Sequence, residues 1–206
     1  MSGDLFSREG ELEQISVLDA ALYFASRIAL PNDDIKILAR LIKETPWRAE
    51  NIVVWGKSYI QPRLIAWYGD EGRSYAYSGI KMSPLPWTPL VRSLLDAVES
   101  VTGDRFNSAL LNYYRDERDS MGFHSDDEKE LGTSPTIASL SLGQERELVF
   151  KHKTKKLKPV RLALPSGSLL VMKGPTQSNW KHGIEKSALH MGPRVNITFR
   201  QISDNT

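Results

Sequence analysis

Apolar residues recur along this chain with two different periods, and the change between them falls near residue 105. In "PNDDIKILARLIKETPW", Ile35, Leu38, Leu41 and Ile42 share one helical face, Asn32 or Asp33 can cap the start, and Pro46 lies just past the end. A second helix is predicted after Thr88, with Pro89 in its first turn, Leu90, Leu94 and Val98 as its apolar stripe and Gly103 as its stop. Beyond residue 105 the period shortens to two. "FNSALLNYY", "TIASLSLG", "RELVFKHK", "VRLALP", "GSLLVMKG" and "RVNITFRQI" read as strands, punctuated by Pro165-Ser166-Gly167 and Gly174-Pro175. Helices followed by closely spaced strands predict an α+β fold, with N-terminal helices buttressing a two-sheet barrel or jelly roll. The stretch "VVWGKSYIQPRLIAWYGDEGRSYAYSG" is rich in aromatic and basic residues and carries turn signals at Gly56 and at Asp70-Glu71-Gly72.

No repeat, low-complexity tract or linker interrupts the 206 residues, so a single domain is expected. Zero cysteines exclude disulfides, thiolate metal sites and a cysteine nucleophile, leaving His, Asp, Glu and water as metal ligands. The first twenty residues have no signal-peptide core, and no stretch approaches ~18 uninterrupted apolar residues. A soluble, cytoplasmic monomer with no membrane partner is the expectation. Net charge of +2 is too small to imply nucleic-acid binding, but the charge is unevenly spread. "KHKTKKLKPVR" carries Lys151, Lys153, Lys155, Lys156, Lys158 and Arg161 without an acid, which reads as a solvated hairpin tip or a phosphate-binding patch.

The candidate chemistry centres on "GFHSDDEKE". Ser125-x-x-Glu128 fits a capping box that opens a helix. Alternatively, His124 and Asp126, two apart on an extended segment, put both side chains on one face as a two-point chelate. A third ligand is available in His182 of "SNWKHGIEK", with His152, inside the lysine run, and His190, in "SALHMGP", as competitors. Two imidazoles and one carboxylate form the facial triad of non-haem iron(II) oxygenases. In "RVNITFRQI", Arg194, Asn196, Thr198 and Arg200 fall on one face and Val195, Ile197 and Phe199 on the other. Those arginines either face water or, if both faces are buried, need an anion such as a small dicarboxylate. Asn112 and Tyr114 repeat the pattern in "LLNYY".

H-x-D, a distant histidine and R-x-N-x-x-x-R together resemble the AlkB family of iron(II)/2-oxoglutarate dioxygenases, the oxidative nucleic-acid demethylases. The resemblance continues through "QPRLIAWYGDEGRSYAYSG", "NYYRDERDSMGFHSDDE", "SLSLGQERELVFKHK", "GSLLVMKGPTQSNWKHGI" and "PRVNITFR", colinear from about Pro46 to Ile202 and most similar to the family's double-stranded-DNA repair branch. It implies a double-stranded β-helix (jelly roll) core at 105–202, a nucleotide-recognition region with its supporting helix at 46–104, and an N-terminal extension and helix at 1–45. It makes His124, Asp126 and His182 the iron(II) ligands and Asn112, Tyr114, Arg194, Asn196, Thr198 and Arg200 the 2-oxoglutarate-binding set, with O2 as second cosubstrate.

The implied reaction removes N-methyl groups from 1-methyladenine and 3-methylcytosine with release of succinate, carbon dioxide and formaldehyde. The implied partner is alkylated DNA, with RNA or protein as alternative substrates and a non-catalytic reader of modified nucleic acid as the competing class. A methyl on a base-pairing nitrogen is reached only if the base leaves the stack. The resemblance therefore assigns Tyr75, Tyr77 and Ser78 to a base pocket, though the tyrosines also suit plain cross-strand packing. It assigns Val54, Trp55 and Gly56 to a hairpin wedge, with tryptophan where the closest branch is expected to have phenylalanine. Glu128 takes the position facing the base's exocyclic edge. Arg63, Lys57 and the basic run, in particular Lys151, Lys153 and Arg161, become phosphate contacts.

Overall fold

The structure, a computed structural model, describes residues 10–54, 57–71, 75–77, 80–82 and 84–203. Its elements are β1 (Glu13–Ile15), β2 (Ala21–Ala25), α1 (Asp34–Glu44), β3 (Asn51–Val54), β4 (Lys57–Ile60), β5 (Leu64–Gly69), β6 (Tyr75–Tyr77), β7 (Ile80–Met82), α2 (Pro89–Thr102), β8 (Ser108–Tyr114), β9 (Met121–His124), β10 (Ile137–Gly143), β11 (Arg146–His152), β12 (Val160–Leu164), β13 (Leu169–Lys173), α3 (Thr176–Asn179), β14 (Trp180–Ile184) and β15 (Arg194–Arg200). Trp55, Gly56 and Ser78 lie outside the described residues. For Val54, Lys57, Tyr75 and Tyr77 only the strand backbone is described.

The period-two segments form two antiparallel sheets, ordered β1-β2-β13-β10-β15-β8-β5 and β12-β11-β14-β9. In β15, Val195, Ile197 and Phe199 turn outward against α1 and α2, where Leu90, Leu94, Leu95 and Val98 complete a core. A second core of Leu110, Ile137, Leu148, Phe150, Leu170 and Met172 fills the space between the sheets. Helices on one face and a second sheet on the other make the expected jelly-roll core buttressed by helices.

Both helices start where the caps place them. The Asp33 carboxylate accepts from the backbone N–H of Ile35 and Lys36, and Thr88 Oγ1 accepts from Val91 N–H. Gly103, at φ 70°, closes α2 in the left-handed region that only glycine enters without strain. The buried face of α1 differs from the expected one: Ile37 and Leu41 are buried, while Ile35 is 74% exposed. At about 100° per residue, Ile35 lies roughly 200° from Ile37, on the water side.

The large sheet also exceeds the expected 105–202 core. β5 pairs with β8 from Leu64↔Tyr113 to Gly69↔Ser108, and β2 pairs with β13 from Ala21↔Lys173 to Ala25↔Leu169. Without them β8 and β13 would be edges bearing rows of unmet N–H and C=O groups, so the flanking segments serve the core rather than extend it. Loop 18–21 is fixed in turn, because Trp180 Nε1 donates to Leu18 O at 3.0 Å and Ala21 N–H donates to Thr176 Oγ1 at 2.9 Å. Among the described residues, no helix is long and apolar enough to cross a membrane.

Candidate metal and dicarboxylate site

His124 ends β9 and His182 sits in the middle of β14, directly opposite it in the antiparallel pairing, so their rings lie 4.6 Å apart between centroids. Asp126 follows two residues after His124 and is buried, with 1% exposure. Its Oδ1 lies 3.7 Å from His124 Nε2 and its Oδ2 lies 3.9 Å from His182 Nε2. One ligand atom from each residue falls within 4.8 Å of the other two. A carbonyl can only accept, so His124 Nδ1, 2.9 Å from Gly122 O, carries the proton and leaves Nε2 with its lone pair toward Asp126.

Electrostatics keep His182 and Asp126 in ligating form. Burial pushes the His182 imidazolium down, with help from neighbouring His124 and Arg200 and against Asp126, to about 3. Burial alone would raise the Asp126 carboxyl, but Arg200, His182 and His124 together hold it below the usual carboxylate range. Asp126 Oδ2 is buried without a hydrogen-bond partner among the described residues, a costly state for an anionic oxygen unless a cation meets it. Two neutral imidazole nitrogens and one carboxylate oxygen, with no thiolate, suit iron(II) with open positions for further ligands.

The same cleft holds the predicted polar set, with Asn112, Tyr114, Arg194, Asn196, Thr198 and Arg200 all on its wall. Both faces of β15 are buried, so its arginines do not stand in water. Arg194 is 1% exposed; its Nη2 donates to Ser141 Oγ at 3.0 Å, while Nε and Nη1 have no acceptor among the described residues. Burial draws this guanidinium below its ordinary range, with Tyr114 opposing the shift. The unmet fork is a fitting cradle for a carboxylate. Asn196 donates to Ser139 Oγ and Leu140 O, and Thr198 donates to Asn196 Oδ1, which holds the strand's polar face rigid. Arg200 faces the metal carboxylate instead, donating from Nη2 to Asp126 Oδ1 at 2.8 Å.

Several sequence readings change. Ser125 and Glu128 form no capping box: Ser125 Oγ donates to Trp180 O at 2.8 Å, and the short 3-10 turn at Lys129–Leu131 has no side-chain cap. Residues 125–128 follow the end of β9 as irregular chain, held by the Ser125 contact to Trp180 and the Asp126 N–H contact to Gln177. Arg63 is no surface phosphate contact, because it is 4% exposed and its Nε donates to Asn112 Oδ1 at 2.7 Å. Its place immediately before β5, which pairs with β8, turns it inward. Lys153 bonds Asp127 Oδ2 and Gln177 O. Lys151 lies over the Phe123 ring and near Glu185, and Arg161 pairs with Glu147 and Glu185, each of the two about half-exposed. Glu128 is half-buried two residues past Asp126. The rejected histidines lie elsewhere, His152 against Asp19 and Trp180 and His190 exposed beside Glu117.

Residues the sequence reading passed over include Ser139 and Ser141, whose alternation with Leu140 and Leu142 could have marked them as facing β15 across the sheet. Arg146 and Gln177 had no such signal. Arg146, 4% exposed, donates to the carbonyls of Asp116, Asp119 and Glu185, holding together the loops that flank β9 and β14.

Residues 21–200 match the family described as the 2OG-Fe(II) oxygenase superfamily. The bovine (Bos taurus) DNA oxidative demethylase ALKBH2 is 43% identical over 162 residues, covering 75% of this chain and 58% of that protein. The human (Homo sapiens) alpha-ketoglutarate-dependent dioxygenase alkB homolog 3 is 42% identical over 175 residues, covering 81% of this chain and 60% of that protein. The chain thus spans somewhat under two thirds of the length of these curated relatives, and the two kinds of relative match about equally well. The solved structure titled "The structure of OsALKBH1" shares the fold at a TM-score of 0.63 and 17% identity, covering 92% of this chain and 99% of that one. The ligand triad and the buried arginine face therefore stand in a known architecture: the chain belongs to the 2OG-Fe(II) oxygenase superfamily, and its curated relatives include AlkB homologues.

Proposed function

We propose that this chain is an oxidative demethylase of N-alkylated bases in nucleic acid, with DNA as the substrate and 1-methyladenine and 3-methylcytosine as the lesions. The observation that carries the reading is that half-buried His124 and buried Asp126 and His182 line one cleft with Arg194, whose Nε and Nη1 have no acceptor among the described residues. The names of the ALKBH2 relatives, as DNA oxidative demethylases, support DNA.

His124 Nε2, Asp126 Oδ2 and His182 Nε2 would hold iron(II), which when bound supplies oxygen activation coupled to oxidative decarboxylation of 2-oxoglutarate. Arg194 presents Nε and Nη1 to the distal carboxylate of the cosubstrate, with Tyr114 beside it. Arg200 keeps Asp126 ionised and oriented. Leu110, Leu148 and Ile184 on the cleft wall exclude water from the reacting centre. In net terms the N-methyl carbon gains one oxygen atom from O2, the other goes into succinate, and carbon dioxide is released. The resulting N-hydroxymethyl group leaves as formaldehyde, and the ring nitrogen keeps the electron pair and the hydroxyl proton goes to solvent. Glu128, two residues beyond Asp126, offers its carboxylate to the exocyclic amine of the cationic base.

Mass spectrometry of oligonucleotides bearing 1-methyladenine or 3-methylcytosine, as duplex DNA, single-stranded DNA and RNA, tests the proposal. Loss of one methylene mass, only with iron(II), 2-oxoglutarate and oxygen together, is the expected result. Succinate formation with every oligonucleotide still methylated would overturn the nucleic-acid assignment.

A further inference from the structure

Gln177 is a polar side chain buried to 2% exposure on α3, the four-residue turn that leads into the strand carrying His182. Its Oε1 accepts the backbone N–H of Asp126 at 3.0 Å. Its main-chain carbonyl accepts from Lys153 Nζ at 2.8 Å, and the same ammonium bonds Asp127 Oδ2 at 3.0 Å. One residue earlier, Ser125 Oγ donates to Trp180 O. Residues 125 and 126 are thereby docked directly on the segment 177–180, which runs from α3 into the first residue of β14, and Asp127 is tied to it through Lys153.

The geometry has a physical reason. β9 ends at His124, so the amide of Asp126 lies beyond the ladder that would have satisfied it. A buried N–H without an acceptor is unstable, and the loop would move to hydrate it. Moving the loop carries the carboxylate with it, because Arg200 restrains only Oδ1 from the opposite sheet. The Gln177 oxygen therefore sets where Oδ2 points relative to His182, five residues further along the same segment. Sequence distance hides this contact, since 51 residues separate Gln177 from Asp126.

We propose that Gln177 is a positioning residue for the metal ligand Asp126, acting through the Asp126 backbone amide and setting the affinity of the site for a divalent cation. The proposal rests on the assignment of His124, Asp126 and His182 as ligands and not on the choice of nucleic acid as substrate.

The test is equilibrium titration of the full chain with manganese(II), following the free-ion signal by electron paramagnetic resonance, for the wild type, Q177L, Q177E and H124A. Partners behind metal ligands typically contribute 10- to 100-fold in affinity, so Q177L, which removes the acceptor at similar volume, is expected to weaken binding about 10-fold or more. Q177E keeps an acceptor oxygen in place and is expected to bind within about threefold of wild type or tighter. Wild-type affinity in Q177L, with H124A weakened, would overturn the role of Gln177 and leave the metal site standing. Equal weakening in Q177L and Q177E would also overturn it, since the acceptor would then not be the cause. Unchanged binding in H124A would remove the site and the proposal with it. Should circular dichroism show Q177L unfolded, Q177N, whose acceptor is withdrawn by one methylene, is read by the same criterion.

Discussion

Arg200 and Asp126, 74 residues apart in sequence and both at least 96% buried, meet through a 2.8 Å charge-assisted hydrogen bond from Nη2 to Oδ1. The contact occupies Oδ1 and leaves Oδ2, 3.9 Å from His182 Nε2, without a hydrogen-bond partner among the described residues. It also offsets the burial that would otherwise favour the protonated acid.

Replacing Arg200 with methionine removes that compensation, so Asp126 is expected to take up a proton more readily and to release metal. The R200M variant should bind manganese(II) about 10- to 100-fold more weakly, with a larger deficit at pH 6 than at pH 8. An unchanged manganese affinity, with only the KM for 2-oxoglutarate raised, would show instead that Arg200 serves the cosubstrate alone.

His182 makes the metal-free protein sensitive to mild acid. Its folded value of about 3 lies below the ordinary imidazole value of 6.5, so between those limits the unfolded chain binds a proton that the folded chain refuses. Stability is therefore highest above pH 6.5 and falls as the pH drops through the window, by up to about 1.4 kcal/mol per unit. Asp126, whose folded value is lowered, adds to the loss only below its ordinary range. Urea midpoints at pH 7.5 and 5.5 should separate by more in the wild type than in H182Q; parallel behaviour would count against the buried neutral imidazole.

Gly183 sits beside His182 where the pairing of β9 and β14 slips register. A Cβ there would lie 2.9 Å from Met121 O and 3.3 Å from Gly122 C, both rigid backbone atoms. G183A should push β9 away from β14, separate His124 from His182 and cut metal affinity, even though alanine is otherwise a mild change in a strand. A crystal structure or a manganese titration indistinguishable from wild type would refute this.

Arg63 distinguishes a structural cation from a phosphate contact. Neutralising a residue that touches phosphate lowers the slope of log affinity against log salt by about one. R63M is expected to leave that slope for DNA binding unchanged while raising the KM for 2-oxoglutarate, because the residue it supports is Asn112. A reduced slope would return Arg63 to the nucleic-acid surface.

The sequence by itself determined the periodic elements and much of the candidate site. Period-two runs such as "RVNITFR" announce strands because alternate residues must face alternate sides, and the caps at Asp33 and Thr88 act within their own helix turns. His124 and Asp126 were legible for the same reason, since their two-residue spacing is a local fact. Tertiary structure alone decided where each polar face went. Arg194 became an unmet fork and Arg200 the partner of Asp126 only because a second sheet closes over β15. Arg63 turned inward because β5 joins β8, and β1 and β2 entered the large sheet because an exposed edge at β13 needed pairing. Gln177 was invisible for the most general of these reasons: a hydrogen bond between residues far apart in the chain leaves no period and no local signature, and exists only once the fold has brought its two ends together.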